Sequence, residues 1–357
     1  IFSLILLLQW VLEHVLRLKG VVRLLPTGRD LHRTHVYDLM RGFFLIIGTG
    51  VLCMLNMSRV YHYVRRQSTI KLYVLTGMLE IFDKLLCSFG QDAFDLLYWQ
   101  TRYKPTWSKL ISSFSLVSVY VVIHSALYFV LVATLTVAIN SADQAIISVL
   151  VLNNFAEIKG FVFKKFDRQN LFQLACADVT ERFNLTLFMS AIFLVGMVQA
   201  REEWYATLCS FLWTILYMVV CEAVADWIKH AFITKFNHLD SSVYEDYHRL
   251  LRKDILNCRR DMSMMDRTYA ITRRIGLSQI PLVCVFLRYL WLAFRDPYLQ
   301  MYVEEMGKAQ LWTYFVQGMG ALLGLKVGIG MMLVYLSADS SNTELEAYYA
   351  RPRKSNS

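Results

Sequence analysis

Charge is scarce in this sequence: Asp, Glu, Lys and Arg supply 18% of its 357 residues, against roughly 25% in an average soluble chain. Catalytic signatures are missing as well. There is no Walker loop, GxGxxG, HExxH or GxSxG, so the common nucleotide, zinc-protease and serine-hydrolase sites are not announced by any motif. The seven cysteines include no CxxC pair and their total is odd. They read as small buried side chains, and neither a disulfide framework nor a thiolate metal motif is indicated. No catalytic residue, cofactor or metal site is therefore assigned, and an enzyme is not expected.

What is present is hydrophobic length. Apolar residues make up 56% of the chain and aromatics 14%. From Leu110 to Ala142 no side chain carries a charge. At about 1.5 Å per residue a helix of that length exceeds the roughly 30 Å hydrocarbon core of a bilayer. A large soluble helical core would need recurring polar faces, whereas this segment offers serines, threonines, His124 and two tyrosines.

The same rule picks out Phe43–Met57 continuing toward Tyr63, Leu185–Ala200, Tyr205–Ala225, Leu277–Phe294 and Leu311–Leu336. Leu185–Ala200 and Tyr205–Ala225 are separated only by Arg201, Glu202, Glu203 and Trp204, and read as a helical hairpin. Ile1–Leu18 and Leu72–Phe89 are interrupted by charge and bring the count to between six and eight. The predicted fold is an all-α, polytopic transmembrane helical bundle of six to eight spans with amphipathic interfacial helices, forming one membrane domain over residues 1–357. The chain opens on Ile1 rather than Met, which reads as a trimmed start. Residues 337–357 read as a polar tail.

Lys and Arg near span ends are retained on the cytosolic side. Residues 140–184 carry five of them and 226–276 carry ten, so both segments read as basic cytosolic or interfacial regions. Eight spans would place both termini in the cytosol, yet Lys19–Arg41, with five basic residues, would then be lumenal against the rule. The net charge of +9 fits attraction to an anionic leaflet at about 1 kcal/mol per cation near the surface; nucleic acid is not expected as a partner. Within the larger basic segment Val243, Tyr247, Leu251, Ile255, Cys258 and Met262 recur at helical steps beside Arg249, Arg252, Lys253, Arg259 and Arg260. This is a basic amphipathic helix that lies on anionic lipid, docks on a partner, or packs its apolar side on the bundle.

Ionisable residues at membrane depth are costly and mark a function or a packed ion pair. Glu80, Asp83 and Lys84 form one group whose charges can offset one another on a helix face. Glu222, Asp226 and His230 recur every four residues with Lys229 beside them. That stripe could relay protons or hold a metal, but it sits at a span end where headgroups and water suffice, and three ligands on one helix are not a complete site. Arg288 and Lys326 face a polar cavity or snorkel in this reading. Gly320, Gly324 and Gly328 make a smooth stripe that admits a close helix neighbour. The sequons at Asn56 and Asn184 fall within a predicted span and at a span edge, which argues against glycans there.

Three strings are distinctive: QSTIKLYVLTGMLEIFDKLLCSFGQDAFDLLYW from Gln67, NNFAEIKGFVFKKFDRQNLFQLACADVTERF from Asn153, and KHAFITKFN from Lys229. They resemble the transmembrane anterior posterior transformation protein family, and RRIGLSQIPLVCVFLR from Arg273 extends the likeness over about Tyr37–Leu336. The resemblance implies a multi-pass protein of the endoplasmic reticulum membrane, and the leading expectation is a non-enzymatic scaffold that acts through a membrane-anchored partner. The resemblance also implies a SUN-domain-like membrane glycoprotein partner and a part in protecting newly made soluble proteins. In vertebrates it implies links to cilia, including their base, and to skeletal patterning. It carries over no catalytic residues. The rival expectation is a transporter, channel or lipid-moving protein whose path is lined by the intramembrane charges.

Overall fold

A computed structural model describes residues 33–102, 106–140, 168–200, 204–240, 242–260 and 275–296, with scattered helical positions between 310 and 335. Among these there is no strand. Eight helices are delimited: α1 (Arg33–Met54), α2 (Met57–Arg65), α3 (Thr69–Arg102), α4 (Trp107–Ile139), α5 (Arg168–Ala200), α6 (Trp204–Asn237), α7 (Ser242–Arg260) and α8 (Gln279–Phe294).

The uncharged segment becomes α4, and it is the central post against which α1, α2, α3 and α8 pack. Val117, Tyr120, Val121, His124, Tyr128 and Val132 recur at three- and four-residue steps and are all buried. Leu116, Val119 and Ile123, from the other face, are exposed. One stripe thus meets protein and the other meets the surroundings. The core around α4 takes Phe44 and Leu52 from α1, Phe94 and Leu97 from α3, Phe188 from α5, and Leu282, Val285 and Tyr289 from α8. Two glycines permit the close approaches. A Cβ on Gly48 would stand 2.7 Å from Cys284 Sγ, and one on Gly90 would run into the buried Tyr120 ring.

Three described helices are long and apolar enough to cross a membrane, within Trp107–Ile139, Asn170–Met197 and Tyr205–Asn237; the α1–α2 pair makes a fourth if counted as one span. The apolar surface is what water would not tolerate. On α6, Leu212, Trp213, Leu216, Tyr217 and Val220 are at least half exposed, a continuous face that fits hydrocarbon as solvent. Serine and threonine hydroxyls along these helices fold back onto carbonyls three or four residues earlier, as from Thr134 to Leu131 and from Thr186 to Arg182. Their polarity is thereby removed from the lipid.

The structure departs from the expected spans in two places. Phe43–Tyr63 is not one straight crossing: it breaks after Met54 and bends by 62°. Asn56 caps the second piece, its side-chain oxygen accepting from the Ser58 and Arg59 amides, so a polar side chain supplies what the continuous hydrophobicity conceals. The helices of the hairpin also run on beyond the apolar windows, α5 back to Arg168 and α6 forward to Asn237. Arg168–Asn184 and Asp226–Asn237, read as parts of basic loops, are therefore helix, because their charges pair across the hairpin. Residues 141–167 and 261–274 lie outside the described residues.

Candidate functional site

Between α3, α4, α5, the buried Glu222 of α6 and the Ile275–Gly276 turn lies a cavity of about 480 Å³. Its wall is apolar at Leu72, Leu131, Leu135 and Phe188, and polar at Thr76, Gln91 and Asn184. Glu80, Asp83, Glu181 and Glu222 bring four carboxylates to it, and Lys84 brings one ammonium. Asn184 is 8% exposed, and among the described residues its side-chain oxygen finds no hydrogen-bond donor. The two groups singled out from sequence thus share one chamber, through Glu80, Asp83 and Lys84 on one wall and Glu222 on another.

Asp83 is the junction between α3 and α4. Its Oδ1 lies 2.7 Å from His124 Nε2 and accepts from Cys87 Sγ at 3.5 Å. His124 Nδ1 in turn meets the Tyr120 hydroxyl at 2.9 Å. His124 is completely buried and Asp83 is partly exposed. The order is thiol–carboxylate–imidazole, so the base does not stand next to the thiol, and nucleophile activation of the Cys–His kind is not built here. Tyr128, one turn from His124, places its hydroxyl 2.6 Å from Ser278 Oγ and closes this wall.

A second cluster clamps α5 to α6. Lys229 Nζ stands 2.7 Å from Asp178 Oδ1 and 3.0 Å from Asp226 Oδ1. His230 Nε2 meets Asp178 Oδ2 at 2.8 Å, and Arg182 reaches Asp226 at 3.4 Å. Tyr244, from α7, meets His230 Nδ1 at 2.8 Å; burial and the Asp178 carboxylate push its phenol above the ordinary tyrosine range. Counting about 22 residues back from the hairpin turn at 1.5 Å each puts the clamp roughly 30 Å away, at the opposite edge of the hydrocarbon. Two carboxylates are set against two permanent cations, which is how a buried cluster avoids an uncompensated charge. Glu222, Asp226 and His230 do not converge on a point: Asp226 turns to Lys229 and Arg182, His230 to Asp178 and Tyr244, and Glu222 to the cavity.

Asp178, Arg182 and Cys87 were missed by sequence reasoning as partners, and His124 was noted only as an isolated polar residue. Symmetry about the turns was the available signal. Asp178 precedes Glu202 by 24 residues (202 − 178) and Asp226 follows it by 24 (226 − 202). Asp83 and His124 stand 21 before (104 − 83) and 20 after (124 − 104) Lys104 in the same way. Antiparallel helices bring such positions level.

Arg288, buried on α8, neither snorkels nor lines the cavity. Its Nε donates to the Leu52 carbonyl at 3.1 Å and its terminal nitrogen to that of Leu55 at 3.4 Å. A guanidinium thus adds donors at the carbonyl end of α1, where the Leu52 carbonyl also accepts from the Leu55 amide at 3.1 Å. Lys326 lies outside the described residues. Gly320, Gly324 and Gly328 are helical and exposed, with nothing among the described residues within 4 Å of where a Cβ would sit. The basic amphipathic helix is α7: Val243 is buried with Leu171 and Ile233, and Tyr247 rests on Phe172 with ring centroids 4.9 Å apart. Its first turns pack on the bundle, and the side chains beyond Arg252 lie outside the described residues.

These features define the class: an all-α, multi-pass membrane protein whose charged side chains are gathered at helix–helix contacts and around an internal chamber. A model described as a eukaryotic membrane protein family matches residues 31–342. The chain belongs to this family, that of the transmembrane anterior posterior transformation proteins. It is 37% identical over 270 residues to "Transmembrane anterior posterior transformation protein 1 homolog" of Xenopus laevis, covering 74% of this chain and 49% of that protein. To "Protein TAPT1 homolog" of Drosophila melanogaster it is 37% identical over 281 residues, 76% of this chain and 41% of the relative. To "Endoplasmic reticulum membrane protein 65" of Schizosaccharomyces pombe it is 35% identical over 289 residues, 75% and 44% respectively. The chain spans less than half the length of these curated relatives. No solved structure matches it.

Proposed function

We propose that this chain is the membrane module of a non-enzymatic scaffold of the endoplasmic reticulum membrane, acting with a SUN-domain-like membrane glycoprotein in protein homeostasis. The observation that carries this reading is the use made of the charged groups. Asp178, Arg182, Asp226, Lys229 and His230 tie α5 to α6, and Arg288 ties α8 to α1; none of these groups is arranged around a reacting atom. The fission-yeast relative's name supports the endoplasmic reticulum as the location, and the names of the vertebrate relatives support a developmental role in animals. The glycoprotein partner and the ciliary base rest on the family resemblance. The basic side of α7 is proposed to meet anionic headgroups, a contact that weakens with salt.

Affinity purification of the full-length protein in mild detergent tests the scaffold. The expected outcome is a stoichiometric membrane glycoprotein that shifts on deglycosylation. Recovery of the chain alone, together with catalytic turnover, would overturn it.

The internal chamber favours a second reading, movement of an ion or lipid through the bundle, since carboxylates are brought to a cavity at membrane depth. Reconstituted liposomes decide between the two. Flux that appears with the wild-type chain and vanishes on Glu222→Gln selects transport, and its absence leaves the scaffold standing.

A further inference from the structure

We propose that Asp83, Cys87 and His124 form a binding site for a divalent transition metal of the zinc class, with its fourth position open to the internal chamber. The inference goes beyond the scaffold reading and does not depend on it. The three ligand atoms, a carboxylate oxygen, a thiol sulfur and an imidazole nitrogen, all lie within 4.8 Å of one another. Around a tetrahedral ion with bonds of about 2.0–2.3 Å, ligand atoms stand roughly 3.3–3.8 Å apart, so rotamer adjustments of less than about 1 Å complete the set.

Four further features point the same way. Asp83 and Cys87 are four residues apart and share a face of α3, while His124 comes from α4, so the ion would staple two helices. The distal ring nitrogen of His124 is engaged by the Tyr120 hydroxyl, the outer-sphere contact that fixes the orientation of a ligating histidine. Asp83 and Cys87 line the chamber, which supplies an entry path and room for a water ligand. The mixed S, N, O donor set suits a borderline ion such as Zn²⁺ and not Ca²⁺ or Mg²⁺, which take oxygen ligands.

The charge balance also differs from that of the α5–α6 clamp. There each carboxylate has a Lys or Arg within 4.0 Å, whereas among the described residues Asp83 has only His124 at ion-pair distance. On metal binding the Cys87 thiol releases its proton to water. With Nε2 on the ion, His124 would carry its proton on Nδ1, where it would donate to the Tyr120 oxygen. Carboxylate and thiolate would then total −2 against the +2 of the ion.

The full chain, purified in mild detergent and stripped with chelator, is titrated with Co²⁺ and back-titrated with Zn²⁺. The expected result is one equivalent of cobalt with four-coordinate visible absorption and a near-ultraviolet thiolate-to-cobalt band, both abolished by Zn²⁺. Cys87→Ser removes the thiolate band, Asp83→Asn weakens binding at least about tenfold, and Cys176→Ser, on the same chamber, changes neither. Protection of Cys87 from maleimide by Zn²⁺ in the wild-type chain, read by peptide mass, gives the same answer should the variants aggregate. Absence of saturable micromolar binding, a thiolate band that survives Cys87→Ser, or an unprotected Cys87 overturns the site.

Discussion

Lys229 occupies the position where an unpaired charge would cost most. Its side chain is 4% exposed and lies between Asp178 and Asp226, so truncation leaves two buried carboxylates with one fewer cation. Breaking one partner out of such a cluster costs roughly 3–5 kcal/mol. Lys229→Met is accordingly expected to lower the melting temperature in detergent sharply, and adding Asp178→Asn to recover part of the loss, because the offending charge goes with its partner. If the single variant melts like the wild type, the clamp does not hold the hairpin. From sequence, Asp226, Lys229 and His230 were visible as a stripe, but their partners were not. A helical repeat shows which residues share a face and is silent about the helix that face will meet.

At the scale of the element, the break between α1 and α2 is the clearest case of a polar residue shaping an apolar segment. No side chain is charged from Phe43 to Met57, so the sequence reads as one crossing. The chain turns because Asn56 caps a new helix and Arg288, some 230 residues away, covers the carbonyls of Leu52 and Leu55. Hydrogen bonds to a charged group contribute about 1.5–3 kcal/mol each. Arg288→Leu is therefore expected to destabilise the bundle by about 2–4 kcal/mol in thermal unfolding, and Arg288→Lys to rescue less than half, since a point ammonium cannot serve two carbonyls as a planar fork does. Full rescue by lysine would mean that charge alone matters at this position. The predicted hairpin is present as the packed pair α5 and α6, because three charged residues, Arg201, Glu202 and Glu203, between two apolar runs leave few alternatives; those three lie outside the described residues. The span expected around Leu72–Phe89 is a longer helix, Thr69–Arg102. Its Asp83 is accommodated by facing His124 and the chamber instead of lipid.

For the molecule as a whole, the solvent is the decisive variable. The window that qualifies α6 as a span is only 11% buried, against 50% for that of α4, and aromatics such as Trp213 and Trp227 point outward at more than 70% exposure. Alkaline carbonate washing should leave the protein in the membrane pellet; release into the supernatant without detergent would contradict both the fold and the family placement. The amino-acid sequence by itself determined the hydrocarbon environment, the helical class, the hairpin and the family, because each follows from local composition, length or strings of residues. Only the tertiary structure decided which charges meet. It joined Asp83 to His124, Asp178 to Lys229 and Arg288 to the end of α1, and it opened a chamber between α3, α4 and α5. The physical reason is that lipid and protein interior are both apolar, so hydropathy cannot tell the face of a membrane helix that meets lipid from the face that meets another helix.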